Sequence, residues 1–265
     1  MKKAFPFLLI IILLAGAALY SFMKTPDPIH EAPPPPIAPV LPDTPQQSLP
    51  QPENDTEAAY PESESEPVIP PEPLPVLIES DSEVPQALTE IAGTDLLAEY
   101  IVMDQVISRA VASIDSLTSR QVPVHINPVR PAGDKFLVDS EGENLVLSPK
   151  NFARYDGYIS LLQNMSTDSL MNFYRRYSPL FQQAWEENGG QGLFDDRLLE
   201  VIDDVLEAPD VAGPVKLIKY EAVYLFEVPE LEAMTAGQKI LVRMGSANAS
   251  VVKEKLMEIR AQLKP

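Results

Sequence analysis

Two adjacent arginines between two tyrosines are the residues in this sequence best suited to bind a charged ligand. Arg175 and Arg176 lie in the run MNFYRRYSPLFQQAWEENG, in a chain whose formal net charge is −19. Arginine binds carboxylates through paired hydrogen bonds, and a tyrosine hydroxyl can add another. The predicted rim for an anionic or carboxylate-bearing partner, such as a peptidoglycan stem peptide, consists of Arg154, Tyr155, Tyr174, Arg175 and Arg176. In the alternative interpretation, the arginines pair with Asp or Glu on neighbouring helices.

Helical periodicity assigns most of that run to a hydrophobic core. At about 100° per residue, one apolar stripe is formed by Phe173, Tyr177, Leu180, Phe181, Ala184 and Trp185. Arg175 and Pro179 fall on the opposite side, and Tyr174 and Arg176 flank the stripe. Because Pro179 has no N–H to donate to the carbonyl of Arg175, a kink is predicted there. A new helix capped by Ser178 is the alternative.

Other chemistry is scarce in the sequence. The chain has no cysteine and two histidines, of which His30 lies in a proline-rich segment and His125 in a predicted loop. No nucleotide-binding or hydrolase motif is present, so we predict no catalytic residue, no metal and no cofactor. An enzyme built on this chain would depend on carboxylates such as Glu186 or Glu187. A stripe of four acidic residues is interpreted as a solvated helix face rather than a weak cation site: Asp196, Glu200, Asp203 and Glu207.

The N-terminus has the composition of a membrane anchor. Residues 5–22 carry no charge, and as a helix they would extend roughly 27 Å, close to the thickness of a bilayer core. Lys2 and Lys3 precede the run, so the positive-inside rule places the N-terminus in the cytoplasm and the remaining chain in the periplasm. A cleavable signal peptide ending near Ala15-Gly16-Ala17 is the alternative. Residues 1–24 are thus predicted to attach the protein to the inner membrane in a single pass.

Residues 25–84 are predicted to be a disordered linker. They contain seventeen prolines and thirteen acidic residues but no Lys or Arg. Proline favours extended conformations and like charges repel, so the segment would reach at most about 190 Å from the membrane. Pro33 to Pro36 could instead be a ligand for an aromatic groove. The acidity of linker and domain disfavours nucleic acid as a partner.

Residues 85–265 are predicted to form one mainly α-helical domain with a small β element. Helices are predicted over 94–118, from Ser148-Pro149 through Asn164, from Thr167 or Asp168, over 194–207, between Pro229 and Gly245, and from Asn248 to about Leu263. Strand patterns occur on both sides of the run DSEGEN, which predicts a hairpin. VKLIKYEAVYLFEV is interpreted as a strand, and a helix is the alternative because its periodicity also fits one.

Three separated runs of this domain resemble a known family. They are PKNFARYDGYISLLQNM, FYRRYSPLFQQAWEENG and GQKILVRMGSANASVVKEKLMEIRAQL. Together they resemble a bacterial family described as a domain of unknown function, whose members usually follow a transmembrane segment and a proline-rich spacer. The resemblance covers residues 85–263 and implies this architecture, but it implies no substrate, cofactor or catalytic residue.

These observations lead to an expectation about function. We expect a single-pass inner-membrane protein that presents a periplasmic binding or adaptor domain to the cell wall or to an envelope protein. Two alternatives remain open. One is a carboxylate-dependent cell-wall hydrolase, which needs a glutamate with a raised pKa in an apolar cleft. The other is a structural subunit or assembly factor of an envelope complex.

Overall fold

The computed structural model describes residues 73–93, 97–133, 135–221 and 223–263. The predicted anchor and most of the predicted linker lie outside these residues. Within the part of the chain that is described, no helix combines the length and the apolar character needed to cross a bilayer. The described residues form mainly helices with one four-stranded antiparallel sheet, which confirms the predicted mainly α-helical domain with a small β element.

The α-helices are α1 (Val84–Ala92), α2 (Leu97–Tyr100), α3 (Val106–Ser116), α4 (Asp156–Asn164), α5 (Thr167–Glu187), α6 (Phe194–Leu206), α7 (Pro229–Glu232), α8 (Ala236–Met244) and α9 (Ser246–Leu263). Short 3₁₀ helices cover Leu77–Ser82, Val124–Ile126 and Pro149–Tyr155. The strands are β1 (Val138–Glu141), β2 (Asn144–Leu147), β3 (Lys216–Tyr220) and β4 (Val223–Phe226).

The folded region begins before the predicted linker ends. Residues 76–83, here called the entry segment, contain the first 3₁₀ helix and pack against α3 and α5. Leu77 is buried in the main core together with Val84, the first residue of α1. The boundary predicted at residue 84 is therefore too late. The acidic composition of this stretch is typical of a linker, but Leu77 is buried in the core and the carboxylates of Asp81 and Glu83 form hydrogen bonds with the domain.

The helix predicted over 94–118 is broken. α2 ends at Tyr100, and its carbonyl accepts a hydrogen bond from the backbone N–H of Arg130 at 2.8 Å. α3 begins only at Val106, after Gln105 adopts a left-handed conformation with φ 50° and ψ 41°. The carboxylate of Asp81 accepts hydrogen bonds from the backbone N–H of Gln105 at 2.6 Å and of Val106 at 3.4 Å. A carboxylate of the entry segment thus caps α3, a contact that helical periodicity does not reveal.

The main core surrounds α5, which packs against α3, α6 and α9. Every residue of the predicted apolar stripe on α5 is buried. Ser166 caps the helix by accepting a hydrogen bond from the backbone N–H of Ser169 at 3.2 Å. The predicted core face of this helix is confirmed.

α5 continues through Pro179 without interruption, as the kink interpretation required and the new-helix alternative did not. Pro179 is exposed and leaves the carbonyl of Arg175 without its helical donor. The hydroxyl of Ser178 donates to this carbonyl at 3.1 Å. A neighbouring side chain therefore supplies the hydrogen bond that proline removes.

Replacing Pro179 with alanine is expected to raise the free energy of unfolding by about 1 to 2 kcal/mol. The restored N–H can donate to the Arg175 carbonyl, and the loss of proline rigidity in the unfolded chain offsets part of that gain. Urea denaturation at constant slope measures the effect. Pro149 is the matched control, because it occupies the first turn of a helix, where no N–H is needed. An unchanged or lower midpoint for Pro179→Ala would contradict the prediction.

The sheet has the strand order β1-β2-β3-β4, with antiparallel pairing throughout. The hairpin predicted around DSEGEN is confirmed as β1 and β2. The single strand predicted in VKLIKYEAVYLFEV is instead a second hairpin, β3 and β4, whose turn includes Glu221 at φ 50°. Leu147, Leu217 and Phe226 pack with Val242 of α8 and form a second core.

Three predicted helix boundaries differ from the structure. The helix predicted from Ser148-Pro149 through Asn164 begins as a 3₁₀ helix and becomes α4 at Asp156. The helix predicted between Pro229 and Gly245 is two helices, because Thr235 caps a new one by accepting from the backbone N–H of Gln238 at 3.4 Å. α9 begins at Ser246 rather than at Asn248. The Asn248 amide does not cap the helix and donates instead to the carbonyls of Phe152 and Met244, both at 3.1 Å.

Candidate functional site

The five residues of the predicted rim do not form one exposed surface. Tyr155 is 6% exposed and Tyr174 is 3% exposed, so neither hydroxyl lies on an open rim. Arg154 and Tyr155 end the 3₁₀ helix that packs against α4 and α8, whereas the other three lie on α5. The Nε of Arg154 donates to the carbonyl of Ala132 at 2.8 Å. The structure therefore does not support the predicted rim, because burial of Tyr155 and Tyr174 removes the exposed hydroxyls that the hypothesis required.

The α5 members of the predicted set point toward different neighbours. The Tyr174 hydroxyl donates to Asp195 in the first turn of α6, and burial together with this hydrogen bond raises the tyrosine pKa. Arg175 is exposed, and its guanidinium donates to Asn172 at 3.3 Å and to Gln262 of α9 at 3.4 Å. Both residues thus connect α5 to other helices.

Arg176 pairs with a carboxylate, as the alternative interpretation predicted. Its Nη2 lies 2.9 Å from Oε1 of Glu83, and the hydroxyl of Tyr177 donates to the same oxygen. The Tyr177 hydrogen bond and then the Arg176 guanidinium lower the pKa of Glu83. These contacts attach the end of the entry segment to α5.

The attachment predicts a pH-dependent contribution to stability. Because the pKa of Glu83 in the folded state lies below its ordinary value of 4.5, the contribution is fully present above pH 4.5 and is lost as the pH falls through the lowered pKa. Glu83→Gln is expected to reduce the free energy of unfolding at pH 7 by less than about 1 kcal/mol, since the carboxylate is partly exposed. Thermal or urea unfolding of both proteins between pH 7 and about pH 3 measures the difference. A difference that persists unchanged at the acid end would contradict the ionic explanation.

A groove lies beside the entry segment and has a volume of about 500 Å³. This entry groove is lined by Val76, Leu77, Ile78, Asp81, Gln105, Ser108, Gln183 and Glu187. The entry segment supplies one wall, the start of α3 supplies the second, and the end of α5 supplies the third. The hydrogen bonds from Gln105 and Val106 to Asp81 hold two of these walls together.

The lining of the entry groove combines apolar and acidic side chains. Ile78 is 88% exposed and Val76 is 57% exposed, although both are aliphatic. Asp81 and Glu187 supply negative charge, and none of the lining residues is Lys or Arg. Gln105 contributes a strained backbone, because a non-glycine residue rarely adopts positive φ. Exposed apolar side chains beside fixed charge are typical of a protein-binding surface.

A second cluster of charged residues lies inside the domain. Lys239 and Arg243 on α8 are 2% and 4% exposed. The Nζ of Lys239 is 2.6 Å from Oε1 of Glu232, and the guanidinium of Arg243 lies over the ring of Phe226, 5.2 Å from its centroid. Burial lowers the pKa of Arg243. We interpret this cluster as internal support that fastens α8 to the sheet, because a ligand would have to displace core residues to reach it.

Two of the four residues of the acidic stripe along α6 form ion pairs. Asp203 pairs with Arg260 of α9, and Glu200 lies 3.0 Å from a guanidinium nitrogen of Arg197. Within the described ranges, no group of three or more His, Asp or Glu residues is arranged to hold a metal ion. These contacts support the interpretation of the stripe as a solvated helix face.

The two carboxylates considered for catalysis lie on the surface. Glu186 and Glu187 are exposed and accept hydrogen bonds from the amides of Gln182 at 2.8 Å and Gln183 at 2.9 Å. A general acid of a glycan-cleaving enzyme needs an apolar environment that raises its pKa. Both glutamates are instead exposed to solvent. His125, predicted in a loop, is likewise exposed and lies in the short 3₁₀ helix Val124–Ile126.

Comparison with known proteins identifies one family. A family model with the description "Protein of unknown function (DUF3014)" matches residues 106–260. No curated protein and no solved structure matches the chain significantly. The matched region runs from the first residue of α3 into the last turn of α9. The matched region includes the α3 and α5 walls of the entry groove, whereas the entry segment lies before it in the sequence.

Proposed function

The chain belongs to the family described as a protein of unknown function (DUF3014), and we propose that it is a membrane-tethered binding domain of the bacterial envelope. In this proposal, residues 5–22 cross the inner membrane with the N-terminus in the cytoplasm, and the proline-rich acidic segment holds the domain in the periplasm. The entry groove is the surface that receives a segment of a partner protein. Its exposed aliphatic side chains are the observation that carries the proposal.

The position of the entry groove supports an adaptor function. Val76 and Ile78, which line the groove, follow the proline-rich segment directly in the sequence. A flexible tether raises the effective concentration of a binding site near partners in the same membrane. Burying two large aliphatic side chains supplies binding free energy, whereas leaving them in water does not.

The charge of the entry groove favours a protein partner over the cell wall. Asp81 and Glu187 would repel the carboxylates of peptidoglycan stem peptides. Two residues of the predicted rim, which would have attracted those carboxylates, form contacts within the domain instead: Tyr174 with Asp195 and Arg176 with Glu83. Glu186 and Glu187 are both exposed to water, whereas the hydrolase alternative requires a carboxyl group shielded from water in an apolar cleft. Binding therefore explains the described surface better than catalysis does.

Site-specific photocrosslinking in the intact envelope tests this function. A photoreactive phenylalanine analogue placed at position 78 is expected to give a discrete protein adduct. The same analogue at Met257, which is 54% exposed on α9 outside the groove, is the matched control and should not give this adduct. Absence of an adduct from positions 76 and 78, or the same adduct from position 257, would reject the entry groove as the partner site.

A further inference from the structure

We propose that the entry groove binds a cationic, amphipathic peptide segment of another protein. The segment would place an apolar side chain against Val76 and Ile78 and a Lys or Arg side chain against Asp81 or Glu187. This inference rests on the proposed function, because it assigns a chemical class to the partner at the same surface.

The apolar part of the partner is inferred from Val76 and Ile78. Leu77 is buried in the main core, whereas the side chains before and after it, Val76 and Ile78, line the groove and are exposed. Ile78 is 88% exposed, so its side chain contributes almost no free energy of burial in the isolated domain. A complementary leucine or isoleucine from a partner would remove this surface from water.

The cationic part of the partner is inferred from the charges that face the groove. Asp81 and Glu187 belong to its lining, and the exposed Glu79 follows the lining residue Ile78 in the sequence. Arg109, the basic residue closest in sequence to this part of α3, is already bonded to Asp104 and to the carbonyl of His125. The negative field is therefore complementary to Lys or Arg and unfavourable to an acidic or anionic ligand.

The tether of this chain does not have the composition of the occupant. The sequence contains no Lys or Arg from Thr25 through Ser108, and this stretch is rich in Asp and Glu. Like charges on tether and groove repel each other, so the tether is electrostatically excluded. The acidic composition of the tether and the acidic lining of the groove would both attract a cationic partner. The occupant is thus assigned to a different protein chain.

The dimensions and polar groups of the groove suit a peptide. A volume of about 500 Å³ lies within the range of sites that hold a few side chains or a small ligand. The amide of Gln105 and the hydroxyl of Ser108 form no hydrogen bond with other described residues and face the same groove. They can bind the backbone or polar side chains of a helical segment whose apolar residues recur at i and i+3 or i+4. Apolar anchors with flanking polar contacts are the usual composition of such interfaces.

Peptide binding to the full-length chain in zwitterionic lipid nanodiscs tests the assignment. The probe is a fluorescein-labelled amphipathic helix of about 14 residues made from Leu and Lys. Two matched peptides replace all Lys with Glu or all Leu with Ser, and empty nanodiscs are subtracted. We expect saturable anisotropy changes with the Leu/Lys peptide alone, weakening as salt rises from about 50 to about 300 mM.

Variants of the protein separate the apolar and ionic contributions. Ile78→Ser and Glu187→Lys are each expected to weaken binding of the Leu/Lys peptide about tenfold. The matched controls Met257→Ser and Glu254→Lys make the same changes on exposed positions of α9 and should leave the affinity unchanged. Equal effects of the Glu187 and Glu254 variants, or equal binding of the Ser/Lys peptide, would show general attraction to an acidic chain and overturn the proposal.

The remaining outcomes distinguish this inference from the proposed function. An adduct from position 78 in the envelope, with no affinity for the Leu/Lys peptide, would retain the partner site and overturn its cationic chemistry. Binding of the peptide without an adduct would support the chemistry and overturn the assigned role in the envelope. Binding of the wild-type chain to anionic vesicles that is lost in Ile78→Ser would identify a lipid surface instead and overturn the peptide assignment.

Discussion

Replacing Phe181 with alanine is expected to lower the free energy of unfolding of the domain by about 3 to 5 kcal/mol. Phe181 is fully buried in the middle of α5. Its ring centroid lies 5.3 Å from that of Tyr174 and 5.9 Å from that of Phe194. Alanine would remove these ring contacts and leave a cavity that the surrounding helices can fill only in part. Urea denaturation followed by the fluorescence of Trp185, the single tryptophan of the chain, measures the loss.

Two further variants define the cause of the Phe181 effect. Phe181→Leu keeps most of the volume and is expected to cost about 1 kcal/mol. Leu193→Ala, at an exposed position just before α6, is expected to change stability by less than about 0.5 kcal/mol. A loss below about 1 kcal/mol for Phe181→Ala would show that the aromatic cluster closes over the cavity and that α5 is not the rigid centre of the bundle.

The behaviour of α5 shows which features a single helix pattern reveals. The repeat of apolar residues correctly predicts the buried stripe that contains Phe181, because one face of a helix is determined by nearby residues. Tyr174 is predicted at the flank of this stripe but is buried, because α6 covers it. Its hydroxyl donates a hydrogen bond to Asp195 of that helix. This partner lies 21 positions further along the chain. Local periodicity contains no information about contacts at that separation.

The candidate site was not predictable from composition for the same reason. Acidic residues and prolines before residue 84 are typical of a linker, yet Asp81 caps a helix 24 positions away and Glu83 binds Tyr177 across 94 positions. The two carboxylates that define the entry segment therefore look like linker residues in the sequence. One signal was present in the sequence: the aliphatic run Val76, Leu77 and Ile78 lies directly before the acidic residues Glu79, Asp81 and Glu83.

The sheet shows the corresponding limit for strands. The first hairpin was predicted because a glycine-containing turn separates two apolar runs. The second hairpin lacks that signal, because its turn uses Glu221 at positive φ, where glycine or asparagine is more common. The run was therefore predicted as one strand. Its pairing with β2 joins segments separated by α4, α5 and α6, and this long-range contact supports the unfavourable turn.

Replacing Glu232 with alanine is expected to lower the free energy of unfolding by about 3 kcal/mol, a large effect for a residue outside the apolar core. The carboxylate of Glu232 neutralises Lys239, whose side chain is 3% exposed, at a distance of 2.6 Å. Its other oxygen accepts a hydrogen bond from the backbone N–H of Phe226 at 2.9 Å. Alanine would leave a buried ammonium without this counter-charge and a strand N–H without its acceptor, and each loss destabilises the fold. Urea denaturation at neutral pH measures the change.

A double-mutant cycle with Lys239→Met separates the two contributions of Glu232. Methionine fits the unbranched path of the lysine stem and removes the buried charge, so Lys239→Met alone is expected to cost no more than about 1 kcal/mol. In the Lys239→Met background, Glu232→Ala should then cost only about 1 kcal/mol, the contribution of the Phe226 hydrogen bond. An equal cost of Glu232→Ala in both backgrounds would assign the whole effect to the strand. It would also show that the ion pair contributes no stability and that Lys239 is retained between α8 and the sheet for a reason other than stability.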